Sequence, residues 1–216
     1  MIKIAPSLLS ADFLHLEKDV RMCCENADFL HLDIMDGVFV PNISYGFPVV
    51  EAISEIATIP MDVHLMIADP GKYISRFAKC GVKMVSFHLE AAGEKTQEVI
   101  DLIRFLGMRP GVVINPDLPV SSLYPYLGSV DYVLLMSVFA GFGGQKFIED
   151  TYERVRTLKA EIDRRGLDVE IEVDGGVSPS NAPALIKAGA SILVAGSSVF
   201  KSEDPAATIE AMRQII

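Results

Sequence analysis

DFLHLDIM, residues 28–35, reads as a buried strand that carries chemistry. Successive strand side chains alternate faces, so His31 and Asp33, two positions apart, project the same way. Two further runs also end in ionisable side chains: PMDVHLMI (60–67) holds His64, and VEIEVDGG (169–176) holds Asp174. A lone strand histidine is ordinarily a hydrogen-bonded core residue, and a lone buried aspartate a cap or ion-pair partner. Four such groups at matching strand ends need a common compensation, because each buried carboxylate is costly unless neutralised. One shared divalent cation supplies it. Two imidazoles and two carboxylates suit Zn²⁺, Fe²⁺, Mn²⁺ or Co²⁺.

Working outward from this stretch, eight apolar, β-branched-rich runs recur along the chain. Besides the three above they are IKIAPSLL (2–9), KMVSFHLE (83–90), RPGVVINP (109–116), DYVLLMSV (131–138) and SILVAGSS (191–198). Segments with helical spacing lie between them, such as FLHLEKDVRMCCENA, GKYISRFAKCG and EDTYERVRTLKAEIDRRG. Strands alternating with helices imply parallel βαβ units, and continuous apolar strands imply a sheet covered on both faces. Eight units in one short chain predict an α/β fold of the closed (β/α)8 TIM-barrel type, a single domain over residues 1–216. The rival is an open doubly wound sheet, which places a glycine-rich turn after its first strand. Here that strand runs into PSLLSAD instead. Gly81 and Gly189 follow helical segments and fit left-handed helix ends. Asp69-Pro70 and Ser178-Pro179 read as helix starts, a capping residue before a first-turn proline.

Half of the 216 residues are apolar, enough for one substantial core. The formal net charge of −10 and the lack of a basic stripe argue against nucleic-acid and membrane-surface partners. No apolar stretch reaches membrane-spanning length, and MIKIAPSLLSADF does not read as a signal peptide. Cys23, Cys24 and Cys80, without a C-x-x-C pair, fit buried or half-buried thiols in a reducing compartment. A cytoplasmic location is the expectation.

In a barrel, catalytic groups belong at the C-terminal strand ends, where His31, Asp33, His64 and Asp174 fall. Glu172 and Asp62 share the facings of Asp174 and His64 one layer deeper, and read as partners of the ligands. His88 and Glu90 end the fourth run and are read as structural; His15 is expected to be exposed. Glycine or serine recurs after runs six, seven and eight, in GFGGQKF (141–147), DGG (174–176) and AGSS (195–198). Barrel loops in this region often bind phosphate through backbone N–H groups, which glycine lets approach closely. Lys146 is read as a solvated surface lysine. Ser7, at the end of run one, is placed to bond a substrate hydroxyl. Met35, Met66 and Met136 also stand at strand ends; methionines usually fill core gaps, and here they would form an apolar lid.

APSLLSADF, LDIMDGVFVPN, DVHLM, GFGGQKFI and EVDGGV resemble the ribulose-phosphate 3-epimerase family, from residue 2 to about 200. The resemblance implies a (β/α)8 barrel that epimerises a phosphorylated ketose at C3. It implies that His31, Asp33, His64 and Asp174 ligate the metal and that Asp33 and Asp174 form the acid/base pair. It implies that Ser7 and His64 contact the sugar. Gly141, Phe142, Gly143, Gly144, Gly175, Gly176, Gly196 and Ser197 would hold the substrate and its phosphate. The three methionines would cap the intermediate, and the chain would form a homo-oligomer. Two departures stand out. The family usually has Asn-Pro or Asp-Pro where this chain has Phe139-Ala140, and AAGEKTQ (91–97) follows strand four where relatives acting on ribulose phosphate usually carry Cys or Thr and a His-rich stretch.

The chemistry so implied removes a proton next to a ketone. A cation beside the ketone and neighbouring hydroxyl stabilises the enediolate. One aspartate takes the C3 proton and the other returns one to the opposite face, converting D-ribulose 5-phosphate to D-xylulose 5-phosphate. The alternative substrate is D-allulose 6-phosphate, one carbon longer. A Schiff-base aldolase needs a lysine at a strand end, and none of the eight runs ends in one. A non-catalytic sugar-phosphate sensor would have lost one of the four ionisable groups, and all are present.

Overall fold

The computed structural model describes residues 2–214. Its eight strands are β1 (Lys3–Pro6), β2 (Leu30–Met35), β3 (Met61–Met66), β4 (Met84–His88), β5 (Arg109–Ile114), β6 (Tyr132–Met136), β7 (Glu170–Asp174) and β8 (Ile192–Ala195). All pair in parallel, in the order β1-β8-β7-β6-β5-β4-β3-β2. The seam between β1 and β2 is drawn together by a bridge between Ser7 and His31 and by Asp28 N–H donating to Ile4 O at 3.0 Å. The result is a nearly closed barrel, as the alternation of runs predicts.

Outward strand residues such as Leu30, Leu32, Val63, Leu65, Val133 and Leu135 are buried against the surrounding helices. Each such side chain contributes roughly 1.5–3 kcal/mol by burial. The ring comprises α1 (Leu16–Asn26), α2 (Phe47–Ile56), α3 (Ile74–Lys79), the short α4 (Leu89–Ala92), α5 (Thr96–Phe105), α6 (Thr151–Arg165), α7 (Ala182–Ala188), the short α8 (Ser197–Phe200) and α9 (Pro205–Arg213). α6 shows the logic: Val155, Leu158 and Ile162 recur at helical spacing and are buried, and Gly166 ends the helix at φ +64°. Gly81 and Gly189 have positive φ, as expected at helix ends.

Two local expectations fail. Between β5 and β6 there is only a short 3-10 turn, Val120–Leu123. Pro116, Pro119 and Pro125 interrupt this segment and remove the N–H groups a longer helix needs. The helix start expected at Ser178-Pro179 lies further on, with α7 beginning at Ala182 after Asn181. The Asn181 side chain accepts from Ser178 N–H at 2.9 Å and donates to Gly176 O at 2.9 Å, holding the segment as a turn. Asp69 does precede a proline-led turn, a 3-10 helix over Pro70–Tyr73, without capping it through its side chain.

The barrel interior is layered. At the N-terminal mouth Glu170 bonds Lys3 and Arg109. Above it pack Phe29, Met84, Tyr132, Ile192, Ala5 and Val194. Tyr132 fits because residue 111 is glycine: a Cβ there would lie 2.4 Å from the ring. The next layers up are polar, and they form the site.

Candidate active site

Parallel register sets the first contacts. Asp33 lies opposite His64, and His31 opposite Asp62, on β2 and β3. Asp174 ends β7, three strands round the barrel from β2 by way of β8 and β1. His31, Asp33, His64 and Asp174 each offer a ligand atom, all within 4.8 Å of one another. His64 Nδ1 is 3.1 Å from Asp33 Oδ1 and 4.0 Å from Asp174 Oδ2. His31 Nε2 is 3.5 Å from Asp33 Oδ1 and is a fully buried nitrogen with no hydrogen-bond partner. An orphan nitrogen aimed between two carboxyl groups and a second imidazole is what a cation site of this donor set requires, so the residues fit a divalent metal.

Deeper groups orient these four. His31 Nδ1 lies 2.7 Å from Asp62 Oδ2, and Tyr132 donates its hydroxyl to Asp62 Oδ1 at 3.0 Å. With Nδ1 turned to Asp62, His31 directs Nε2 upward, as carboxylate-histidine pairs do at metal sites. Glu172, beside them, has both carboxylate oxygens buried and unpartnered. Its burial, reinforced by Asp62, pushes its carboxyl well above the ordinary range, toward a neutral acid. Ser7 Oγ donates to Asp33 Oδ2 at 2.6 Å.

The two aspartates are driven apart electrostatically. Burial raises both. At Asp33 it is overcome by the charge and hydrogen bonding of His31, then His64, and the carboxyl falls well below the usual carboxylate range. At Asp174, burial and the neighbouring Asp33 charge lift the carboxyl to about 7. Burial, partly opposed by a hydrogen bond to Asp33, lowers His64 to about 4. One carboxyl is thus held ionised beside one that is readily protonated, the condition for paired acid and base.

Above this cluster opens a cavity of about 530 Å³, counting the space at its mouth. Ser7, Asp33, Asp174, Met35, Met66 and Met136 line it, as do Gly141, Phe142, Gly143, Gly144, Gly175, Gly176, Gly196 and Ser197. The three methionines are buried, and Phe142 is half exposed. Gly175 and Gly176 have φ of +119° and +64°, and a Cβ on either would come within 2.8 Å of Val138 or Phe147. No side chain fits there, so the backbone itself faces the cavity. Ser10, Gln145 and Val138, unmarked in the sequence reading, also line it. His15 is exposed, as expected. His88 is fully buried, with Nε2 at 2.9 Å from His64 Nε2, a contact that no spacing in the sequence announces.

Fold and site together define a class: a barrel enzyme that carries an aspartate pair and a candidate metal centre at the C-terminal mouth. The model of the ribulose-phosphate 3-epimerase family matches residues 3–200. Ribulose-phosphate 3-epimerase from Bacillus subtilis (strain 168) is 45% identical over 215 residues, covering 99% of each chain. The enzyme of that name from Synechocystis sp. is 44% identical, covering 98% of this chain and 93% of its own. The chain belongs to the ribulose-phosphate 3-epimerase family, and is an isomerase of the epimerase type. Among solved structures, a mutant tryptophan synthase alpha-subunit from Pyrococcus furiosus superposes with a TM-score of 0.72 at 17% identity, covering 100% of this chain and 99% of its own. That likeness concerns the barrel fold alone.

Proposed function

We propose that the chain interconverts D-ribulose 5-phosphate and D-xylulose 5-phosphate by proton transfer at C3, with Asp33 and Asp174 as the two acid/base groups. The observation that carries this reading is the convergence of Asp33 and Asp174, from strands on different sides of the barrel seam, with His31 and His64 on one candidate cation site; the lowering of Asp33 and the raising of Asp174 to about 7 agree with it. The relatives' name supports the substrate.

His31, Asp33, His64 and Asp174 would hold a divalent ion, Zn²⁺, Fe²⁺, Mn²⁺ or Co²⁺. Such an ion supplies positive charge to the ketone and hydroxyl oxygens as negative charge develops there. The ionised aspartate removes the C3 proton from one face, and the protonated one delivers a proton to the other. The reverse reaction exchanges their roles. Ser7, already bonded to Asp33, orients that carboxylate and a substrate hydroxyl together. Met35, Met66 and Met136 exclude water from the planar intermediate. Gly141–Gly144, Gly175, Gly176, Gly196 and Ser197 hold the phosphate, fixing the sugar's register.

A second reading, D-allulose 6-phosphate as substrate, rests on Phe139 and Ala140. They replace the family's usual Asn-Pro or Asp-Pro and line the cavity. Hydrogen–deuterium exchange at C3 decides: each sugar phosphate is incubated in deuterated buffer, with and without chelator. Exchange faster with the pentose phosphate, and lost on chelation, is expected. Faster exchange with the hexose phosphate selects the alternative, and absence of exchange with both ends the epimerase reading. The same reading takes residues 1–216 as one functional unit, cytoplasmic and self-associating; among the described residues, no helix is long and apolar enough to cross a membrane. Sedimentation velocity measures the association.

A further inference from the structure

His64 Nε2 and His88 Nε2 meet at 2.9 Å, and both rings are fully buried. Two nitrogens at that distance share one proton: one donates and the other accepts. The two rings therefore cannot choose tautomers independently. Behind His88 stand Glu90 and Asn115. The Asn115 backbone N–H and side-chain Nδ2 both donate to Glu90 Oε1 at 3.0 Å. Two groups face His88 Nδ1: Glu90 Oε2 at 3.6 Å, and Asn115 Nδ2 at 3.5 Å, whose amide is already engaged at shorter range by Glu90 Oε1, so that the carboxylate's charge decides for a proton on Nδ1. Asn115 Oδ1 in turn accepts from Ala140 N–H at 3.0 Å, on the loop that roofs the cavity. Phe39 covers the His88 ring, with centroids 4.8 Å apart, and keeps water from that side.

We propose that His88, Glu90 and Asn115 form a positioning relay that fixes His64 as its Nε2–H tautomer, leaving the Nδ1 lone pair free for a divalent cation. A histidine that ligates through Nδ1 must carry its proton on Nε2. His64 then donates to His88 Nε2, which must be bare to accept, so the proton that His88 carries sits on Nδ1, where Glu90 Oε2 faces it. Glu90 can favour this arrangement because Asn115 occupies its other oxygen and holds it in place. The opposite arrangement puts the proton on His64 Nδ1, 3.1 Å from Asp33 Oδ1, and blocks the ligand atom. Passing from that state to the ligating one conserves charge. The Nδ1 proton of His64 leaves to solvent, the shared proton moves from His88 to His64, and His88 takes one proton at Nδ1. The tie from Asn115 to Ala140 couples the roof of the cavity to the same chain of contacts. His88 and Glu90 thus act through His64 rather than on substrate.

The inference rests on the metal reading above, and its test separates the two. Co²⁺ is titrated into the metal-free protein while its visible d–d absorption and its dissociation constant are followed. In the unsubstituted protein, a Co²⁺ spectrum shows that the site exists; its absence overturns the metal reading itself. Given that spectrum, His88→Leu, which removes the acceptor, should weaken Co²⁺ binding by about 10–100-fold and alter the absorption. His88→Gln, whose amide oxygen can accept the same proton, should restore affinity to within roughly threefold of the parent, judged on the same scale. Wild-type affinity and spectrum in His88→Leu overturn the relay. If His88→Leu does not fold, long-range ¹H–¹⁵N correlation spectra of the unsubstituted protein loaded with Zn²⁺ give the answer directly. A proton on His64 Nε2 and on His88 Nδ1 is expected; a His64 proton on Nδ1, or a His88 proton on Nε2, overturns it.

Discussion

The two ends of the barrel interior treat charge in opposite ways. At the N-terminal mouth Glu170 stands between Lys3 and Arg109, each 2.6 Å away, so one carboxylate meets two permanent cations. At the C-terminal end Asp33 and Asp174, with Asp62 and Glu172 beneath, surround His31 and His64. Among the described residues, none of these four carboxyls forms an ion pair with lysine or arginine; their charged partners are imidazoles. In the first arrangement the carboxylate has its charge compensated within the chain, and its pairing contributes to stability. The second is left unbalanced, and its pKa values spread apart as a result. An end that the chain does not neutralise is an end prepared for something that will.

The sharpest way to break this contrast is to remove one unbalanced carboxyl. Asp33→Asn and Asp174→Asn should each lower kcat/KM by about 10³-fold or more, since each deletes one of two proton-transfer groups. Thermal unfolding of metal-free Asp174→Asn should occur at the parent's temperature or higher, because a crowded acid has been removed. Epimerisation at a tenth of the parent rate in either variant would sink the two-aspartate scheme. A large fall in melting temperature would mean that the C-terminal cluster serves stability as the other end does.

A milder probe is the pH dependence of metal binding. The Asp174 carboxyl, raised to about 7 by burial and by Asp33, binds a proton that a cation must displace. His31 is also held well above its ordinary value: burial opposes its charge, but the Asp33 and Asp62 carboxylates prevail. Affinity for Zn²⁺ should therefore rise with pH, by more than tenfold per unit below pH 7 and less steeply above. The sign for stability is opposite. A carboxyl raised on folding stabilises the metal-free protein at acid pH and loses that contribution as pH rises from about 4 through 7. Calorimetric titration in buffers of differing ionisation enthalpy counts the released protons. Affinity flat from pH 5.5 to 7.5 would mean that the cluster carries no displaceable proton.

What the sequence discloses about this contrast depends on the range of the interactions. The strand runs and the helix-ending Gly81 and Gly189 are readable because they reflect local periodicity and backbone conformation. His31 and Asp33 are readable as a pair because alternation within one strand aligns them. The Asp33–His64 juxtaposition follows from inter-strand register, which local pattern does not specify. The contact of His88 with His64, and the fit of Tyr132 over Gly111, likewise depend on the register of neighbouring strands. The misplaced helix start at Ser178-Pro179 shows a different limit. The Ser178 hydroxyl pairs with that of Ser180 instead of capping, while Asn181 accepts from Ser178 N–H and donates to Gly176 O, so the chain turns before the helix begins.

The smallest expected effect lies at the balanced end. Glu170→Gln keeps the shape of the side chain and removes the charge that Lys3 and Arg109 share. All three side chains are partly exposed, at 21% for Glu170 and 36% for each cation, so solvent screens much of the Coulomb energy. The loss should be about 1 kcal/mol of stability, with kcat/KM unchanged, because the apolar layer around Tyr132 separates this mouth from the site. The Glu170 carboxyl is held below its ordinary value: burial raises it, but hydrogen bonds from Lys3 and Arg109 overcome that. A carboxyl lowered on folding stabilises above its unfolded pKa and loses its contribution as pH falls through the folded value. Parent and variant should thus differ at pH 7 and converge toward pH 3 in urea unfolding midpoints. A variant as stable as the parent at pH 7 would show that charge balance at this mouth adds nothing. An equal deficit at both pH values would show that the loss came from packing rather than charge.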